Sequence, residues 1–323
     1  MRALATFTFA AGLAVIESAS AQVYPSRPIT MVVGFPAGGP ADTTARIVAE
    51  RMRLSLGQPV IIENVTGASG SIAGARVAHA PADGYTLIYG NWATHVLNGA
   101  VYTLKYNLLN DFAPVSLLAT EPMLIVTRKT MPARDLRELI AWLQANPGKA
   151  LAGTGGSGSV AHIIGILFQK ETDTRFAFVP YRGLGPVIQD LMSGQIDMVF
   201  DNAPNSLQHV RAGTLKAYAV TAKSRLAQAA DIPTVDEAGL PGFYASNWRA
   251  IWAPKGTPKD VLTKLNAAAM DALADPTVRA RLAHLGQEIF PREQQSADAL
   301  AALHKTEIEK WWPIIKAAHI KAE

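Results

Sequence analysis

From residue 29 onward, short runs of contiguous apolar, β-branched residues alternate with longer stretches where apolar side chains recur every three or four positions. The first pattern suits a buried strand and the second a helix with one apolar face. Residues 29–35 make the first strand, which ends at Pro36-Ala37-Gly38-Gly39. Over 42–56, Ala45, Val48, Ala49 and Met52 share one face while Arg46, Glu50 and Arg53 lie off it, and Gly57 stops the helix. Strands at 60–63 and 85–89 flank a glycine-rich turn at 67–70 and a helix reaching about Ala80. The rhythm lapses over 112–127, where two strand-like runs, 115–118 and 123–126, follow each other with no clear helix between. There the chain is predicted to cross into a second lobe.

Beyond the crossing the alternation restarts. Helices are predicted at 136–144, 160–170, 186–192 and 206–212, and strands at 151–152, 177–180, 196–200 and 217–220. The stretch 231–258 is rich in Pro and Gly, holds a strand near 248–253, and reads as the return crossing. Helices at 259–274, 277–285 and 297–312 follow, the last expected to end or kink at Pro313, although helical spacing resumes towards Ile320. Such alternation is the signature of an α/β fold. Two restarts joined by two extended crossings predict a two-lobed, hinge-closing plan, each lobe a mostly parallel sheet flanked by helices. The expected division is 22–122 plus 246–323 for the first lobe and 123–245 for the second.

Composition narrows the partners. The chain has 323 residues, 49% of them hydrophobic and 17% charged, as in an ordinary soluble protein of more than one domain. The net charge of +4 is spread thinly, with no run of Lys or Arg dense enough for nucleic acid or a membrane surface. Cysteine is absent, which excludes disulfides, thiolate metal sites and cysteine nucleophiles. At the start, Arg2 is the only early charge, an apolar run spans 4–16, and Ala19-Ser20-Ala21 has a small-x-small cleavage pattern. The run is too short to span a bilayer. Against a buried first helix or an anchor, the three features together predict a signal peptide over 1–21, cleaved near Ala21, and export to the periplasm.

Three glycine-rich turns link a strand to a helix, at 36–42, 67–73 and 153–160. Glycine brings backbone close to a ligand, and the following helix start offers unpaired N–H groups and a positive dipole end, which suits an anion. A tight connection with no ligand is the plainer alternative for each. Gly153, Gly155 and Gly158 also satisfy G-x-G-x-x-G, with Glu171 and Asp173 downstream, so a dinucleotide-dependent oxidoreductase is the competing class. The short, weakly apolar strand before that turn argues against it. No G-x-S-x-G surrounds Ser69 or Ser157, and the seven histidines form no H-E-x-x-H or close acidic cluster. No catalytic residue, metal or cofactor is therefore expected. Asp42 suits an N-cap, or could hold the first loop's shape. Arg182 and Arg249 stand at strand ends where either could pair with a carboxylate. His95 and His162 follow strand ends, and Trp92, Tyr181 and Trp248 belong either to the core or to a cleft.

Several ordered blocks carry a resemblance across nearly the whole chain after the leader. Residues 24–42, YPSRPITMVVGFPAGGPAD, are followed by GASGSIAGA at 67–75 and ADGYTL at 82–87. Further along come VPYRG at 179–183, GQID at 194–197 and APKGTP at 253–258. This set resembles the Bug family, periplasmic receptors of tripartite tricarboxylate transporters. The resemblance implies a "Venus flytrap" solute-binding protein, not an enzyme, that captures a small carboxylate between its lobes and delivers it to a membrane transporter. It implies one carboxylate gripped by two facing loops, largely through backbone groups and bridging waters. On matching positions these are Phe35, Ala37, Gly38, Gly39 and Asp42, then Gly156, Ser157, Gly158, Ser159 and His162, with Tyr181, Arg182 and Gly183 nearby. The ligand's far end would face Asn91, Trp92, Thr94 and His95, with Asp201 and Asn202. Trp92 stands where many members have a small residue, and Arg249 where many have glycine. From these, Trp92 is expected to narrow or stack on the pocket, and Arg249 to favour a dicarboxylate. A dicarboxylate or aromatic acid is the expected ligand and a monomer the expected state. A decarboxylase-like enzyme and a signalling co-receptor remain the other classes.

Overall fold

The computed structural model describes residues 24–156, 158–181 and 184–318. The expected leader and its cleavage point, together with Ser157, Arg182 and Gly183, lie outside these residues. Among the described residues there are eleven strands: β1 Ile29–Val33, β2 Val60–Asn64, β3 Thr86–Asn91, β4 Phe112–Thr120, β5 Met123–Arg128, β6 Leu151–Thr154, β7 Ala177–Pro180, β8 Met198–Asn202, β9 Leu215–Val220, β10 Arg249–Pro254 and β11 Glu288–Ile289. They form two sheets, ordered β11-β4-β10-β3-β1-β2 and β7-β6-β8-β5-β9.

The two orders are the same plan used twice. Starting from β2 or from β7, each sheet runs edge strand, first strand, third strand, an inserted strand and a fourth. In both, the inserted strand (β10 or β5) comes from a crossing segment and runs antiparallel to its neighbours. Only the β1–β2, β1–β3, β6–β7 and β6–β8 pairs are parallel. Four strands of each sheet run the same way, as the expected mostly parallel plan has it, and the inserted strand, with β11 in the first sheet, makes the sheets mixed. Periodicity marks β5 and β10 as strands but carries no signal for direction, which is set by their entry from the crossings.

That pairing aims the loops. The chain leaves β4 at Thr120 and enters β5 at Met123, which lies opposite Asn202 at the end of β8. The carboxyl edges of both sheets therefore meet at the crossing, where a hinge-closing α/β protein holds its ligand. The crossing is itself a short ladder: Glu121 N–H donates to Asn247 O at 3.3 Å and Asn247 N–H to Glu121 O at 3.0 Å.

Helices cover both sheets. Helix Pro40–Leu56 packs Ala45, Val48 and Met52 on one face of the first sheet beside helix Lys259–Ala274. Helix Ala297–Ala317 covers the other face with Leu300, Ile308, Trp311 and Ile315. It continues past Pro313 to Ala317, so the proline does not end it. Proline there frees the carbonyl of Glu309, but Pro313 and Glu309 are both exposed, so water satisfies it. Trp311 and Ile315, buried on either side, hold the turn in place.

Candidate functional site

The first glycine loop follows β1 and is held by a carboxylate. Gly38 N–H donates to Asp42 Oδ2 at 2.8 Å, and Arg46 Nε donates to the same oxygen at 2.9 Å. Asn64, at the end of β2, donates from Nδ2 to Asp42 Oδ1 and to Phe35 O, both at 2.9 Å. Asp42 is buried, and its bond to Arg46 leads the causes that hold its carboxyl at about 2. It braces the loop rather than capping the helix, whose N-cap, Gly39, makes no side-chain bond. Gly38 needs its freedom, since φ is +78°. Behind the loop, a Cβ on Gly34 would lie 2.8 Å from Gly70 Cα, so the first and second glycine turns touch backbone to backbone.

The second-lobe loop follows β6 and repeats the device with another residue. Gly158 N–H donates to His162 Nδ1 at 3.0 Å, the same four-residue step as Gly38 to Asp42. Ser159 is the N-cap of helix Val160–Thr172, and its Oγ accepts from His162 N–H at 3.4 Å. Gly156 N–H donates to Thr154 Oγ1 at 3.3 Å. His162 must leave Nδ1 unprotonated to accept, and burial lowers its basicity, which favours that state. This helix has no acid in its first turn, so its dipole end is uncompensated, unlike the first helix with Asp42. A cavity of about 200 Å³ opens against it, bounded by Gly155, Ser159 and Asn202 and by Glu121 and Asn247 of the crossing.

The other expected residues divide into cleft and core. Asn202 lines that cavity and caps helix Ala203–Arg211 through Asn205 N–H. Asp201 beside it is fully buried, takes one bond from Asn205 Nδ2 at 2.9 Å, and leaves Oδ1 without a partner. Burial raises its carboxyl to about 7. Tyr181 gives its hydroxyl to Asp190 at 2.6 Å. Asn91 and Thr94 are buried and clasp each other, with Asn91 N–H on Thr94 Oγ1 and Thr94 N–H on Asn91 Oδ1. They form a floor beneath the loops, because a Cβ on Gly70 would meet Thr94 Cγ2 at 2.6 Å.

Three expectations need correction. Trp92 is fully buried and packs edge-on against Trp311 at 4.8 Å, so it fills the core instead of stacking on a ligand. His95 is buried, lies flat on Trp252 at 3.7 Å, and is held neutral by burial and by His304 nearby. Arg249 is 2% exposed and already has its carboxylate, Glu121 Oε2 at 2.9 Å. A cation buried in hydrocarbon needs such a partner, so its first carboxylate is Glu121 rather than a ligand's, with Nε left unbonded. The dinucleotide alternative also fails locally. Gly153 lies inside β6, where a Cβ would strike Val187 and Ile196 at 2.4 and 2.6 Å, so it is a packing glycine and not part of a phosphate turn.

Sequence reasoning missed Asn64, Glu121 and Asn247. Glu121, an acid inside an apolar crossing, was the detectable signal. Among the described residues, no group of three or more His, Asp or Glu side chains could hold a metal.

Two matched sheets with facing carboxyl edges, joined by a two-stranded crossing, define a two-lobed solute-binding receptor. Residues 44–320 match the model of the TctC family, described as tripartite tricarboxylate transporter family receptor, and the chain belongs to that family. Protein BugT of Bordetella pertussis is 34% identical over 316 residues, covering 97% of this chain and 96% of BugT. The structure of MatC from Rhodopseudomonas palustris with bound malate is 40% identical, with TM-score 0.76, over 90% of this chain and 100% of that one. Another R. palustris protein, solved with adipate, is 34% identical, with TM-score 0.78, over 93% of this chain and 100% of that one.

Proposed function

We propose that this receptor works in the periplasm, binds a small carboxylate between lobes 22–122 plus 246–323 and 123–245, and passes it to a tripartite tricarboxylate-type membrane transporter. The observation that carries the reading is the repeated glycine device. In each lobe a glycine N–H is pinned to the side chain four residues on, which sets the loop ahead of a helix start at the carboxyl edge of a sheet. Anion binding by such backbone needs no basic side chain. The uncompensated start of helix Val160–Thr172, with its adjoining cavity, is the stronger half of the grip. Phe35, Ala37, Gly38 and Gly39 close on it from the first lobe. Asp201 and Asn202 stand behind the cavity and select the ligand's other groups. Relatives solved with malate and with adipate support a dicarboxylate as the class.

A thermal-shift series with malate, adipate, benzoate and NAD tests this directly. A ligand at a hundred times its Kd adds about 2.7 kcal/mol to the folded state, which raises the melting temperature by several degrees. Stabilisation by malate or adipate is the expected result. Stabilisation by NAD alone would sink the reading.

A further inference from the structure

A large cavity lies away from the glycine loops. Those loops follow β1 and β6, each next to the β2 or β7 edge, whereas this cavity is bounded by β11 and by residues 226–228 beyond β9, at the opposite edges of the two sheets. It measures about 750 Å³ and draws Arg211 and Leu226 from one lobe and Arg279, His284 and Ile289 from the other. A second cavity of about 400 Å³ adjoins it, shares Arg279 and Ile289, and adds Arg292 and Phe290.

The charge in this groove is unbalanced. Arg211 donates to Gln228 O and Arg279 to Leu273 O at 3.3 Å. Among the described residues none of Arg211, Arg279 and Arg292 has a carboxylate partner, while Arg27, Arg51, Arg76, Arg128 and Arg225 each have one. The one acid lining either cavity is Glu288, and burial raises its carboxyl towards the neutral form. Between the arginines the lining is mixed, with Ile289 and Phe290 beside Gln228 and His284. The groove's two cavities together exceed the roughly 300–1,000 Å³ of a pocket for one small molecule. Glu288 and Ile289 form an edge strand, paired on one side to β4, and an extended chain can add to such an edge.

We propose that this rear groove docks an extended acidic segment of a partner protein, with guanidinium groups from both lobes gripping its carboxylates. Arginine is suited to this because its planar fork meets a carboxylate bidentately. The occupant touches both lobes behind the crossing, so a partner there reads the angle between them. The proposal does not depend on which solute fills the front cleft.

The test uses fluorescein-labelled octaglutamate, followed by anisotropy with the purified chain. Expected is salt-sensitive binding that weakens at least tenfold in the Arg211→Gln, Arg279→Gln, Arg292→Gln triple variant. A control that removes three exposed cations lining neither cavity, Arg137→Gln, Lys170→Gln and Arg175→Gln, stays within twofold of the parent. Absence of binding, or equal weakening in both variants, overturns the proposal. So does displacement by free citrate at the same molar concentration as unlabelled octaglutamate, since the groove would then be a small-anion site. Melting curves of both variants confirm that each is folded; glutamine keeps a donor for the two backbone carbonyls.

Discussion

The loop after β1 and the loop after β6 occupy the same place in the same sheet plan, yet they are held by different chemistry. In one, the acceptor for the glycine N–H is a carboxylate with three donors, Gly38, Arg46 and Asn64. In the other it is a neutral imidazole, helped by a long 3.4 Å contact to Ser159. The first loop thus carries its own anion at the helix start, and that anion stiffens it while weakening its pull on a second one. The second loop leaves its helix start uncompensated and is braced less firmly. The division assigns stability to the first loop and ligand capture to the second.

Removing the two braces tests this division most severely. Asp42→Ala leaves the Gly38 N–H, Asn64 and Arg46 without their shared acceptor. The fall of its carboxyl from 3.8 to about 2 corresponds to about 2 kcal/mol at neutral pH. That contribution is present above about pH 4 and disappears as pH falls towards 2. Urea unfolding is expected to show a loss of about 2–3 kcal/mol. His162→Ala removes a single neutral acceptor and is expected to cost about 1 kcal/mol, while carboxylate affinity falls tenfold or more in calorimetry. Equal stability losses for the two variants would erase the distinction.

How legible this was in the sequence depends on how far apart the partners lie. Gly38 and Asp42, or Gly158 and His162, are four residues apart on a turn and a helix start, so the loops and their glycines could be read directly. Asn64 reaches Asp42 from 22 positions away, and Arg249 finds Glu121 across 128. No local pattern encodes such meetings. Trp92 shows the same limit, because its place at a strand end suits cleft or core equally until Trp311, far along the chain, covers it. The strands other than the two-residue β11, and nearly all helices, were legible from periodicity. The direction of the inserted strands was not.

Backbone packing offers a second, smaller test. Gly34→Ala drives a methyl to 2.8 Å from Gly70 Cα, where neither backbone can give way easily, and is expected to cost about 2 kcal/mol. At Gly156 the nearest atom to a new Cβ is Tyr181 O at 3.6 Å, so the only obstacle is its φ of +111°. Gly156→Ala is expected to cost about 1 kcal/mol in strain. Its larger effect should fall on binding, as the loop relaxes away from its ligand-ready shape. If Gly34→Ala impairs affinity more than Gly156→Ala does, the first loop is the principal grip and the roles reverse.

The mildest probe is pH, which acts on one brace and spares the other. Burial lowers the His162 imidazole below its ordinary 6.5, so the unfolded chain takes up the proton more readily than the folded one. The brace therefore contributes fully above about pH 6.5 and is lost as pH falls through the lowered folded value. A protonated Nδ1 also turns from acceptor to donor and faces the Gly158 N–H, releasing the loop. Asp42 stays ionised throughout that range. Carboxylate affinity is expected to weaken a few-fold between pH 7 and pH 5, and His162→Gln should flatten that slope. His95 and His304 are also buried and held neutral, so acid lowers the stability of the whole fold as well. Affinity measured by calorimetry while circular dichroism still reports a folded chain separates the two effects. A slope that survives in His162→Gln would move the pH response out of the second loop, to Asp201, whose carboxyl burial raises to about 7, or to that buried histidine pair.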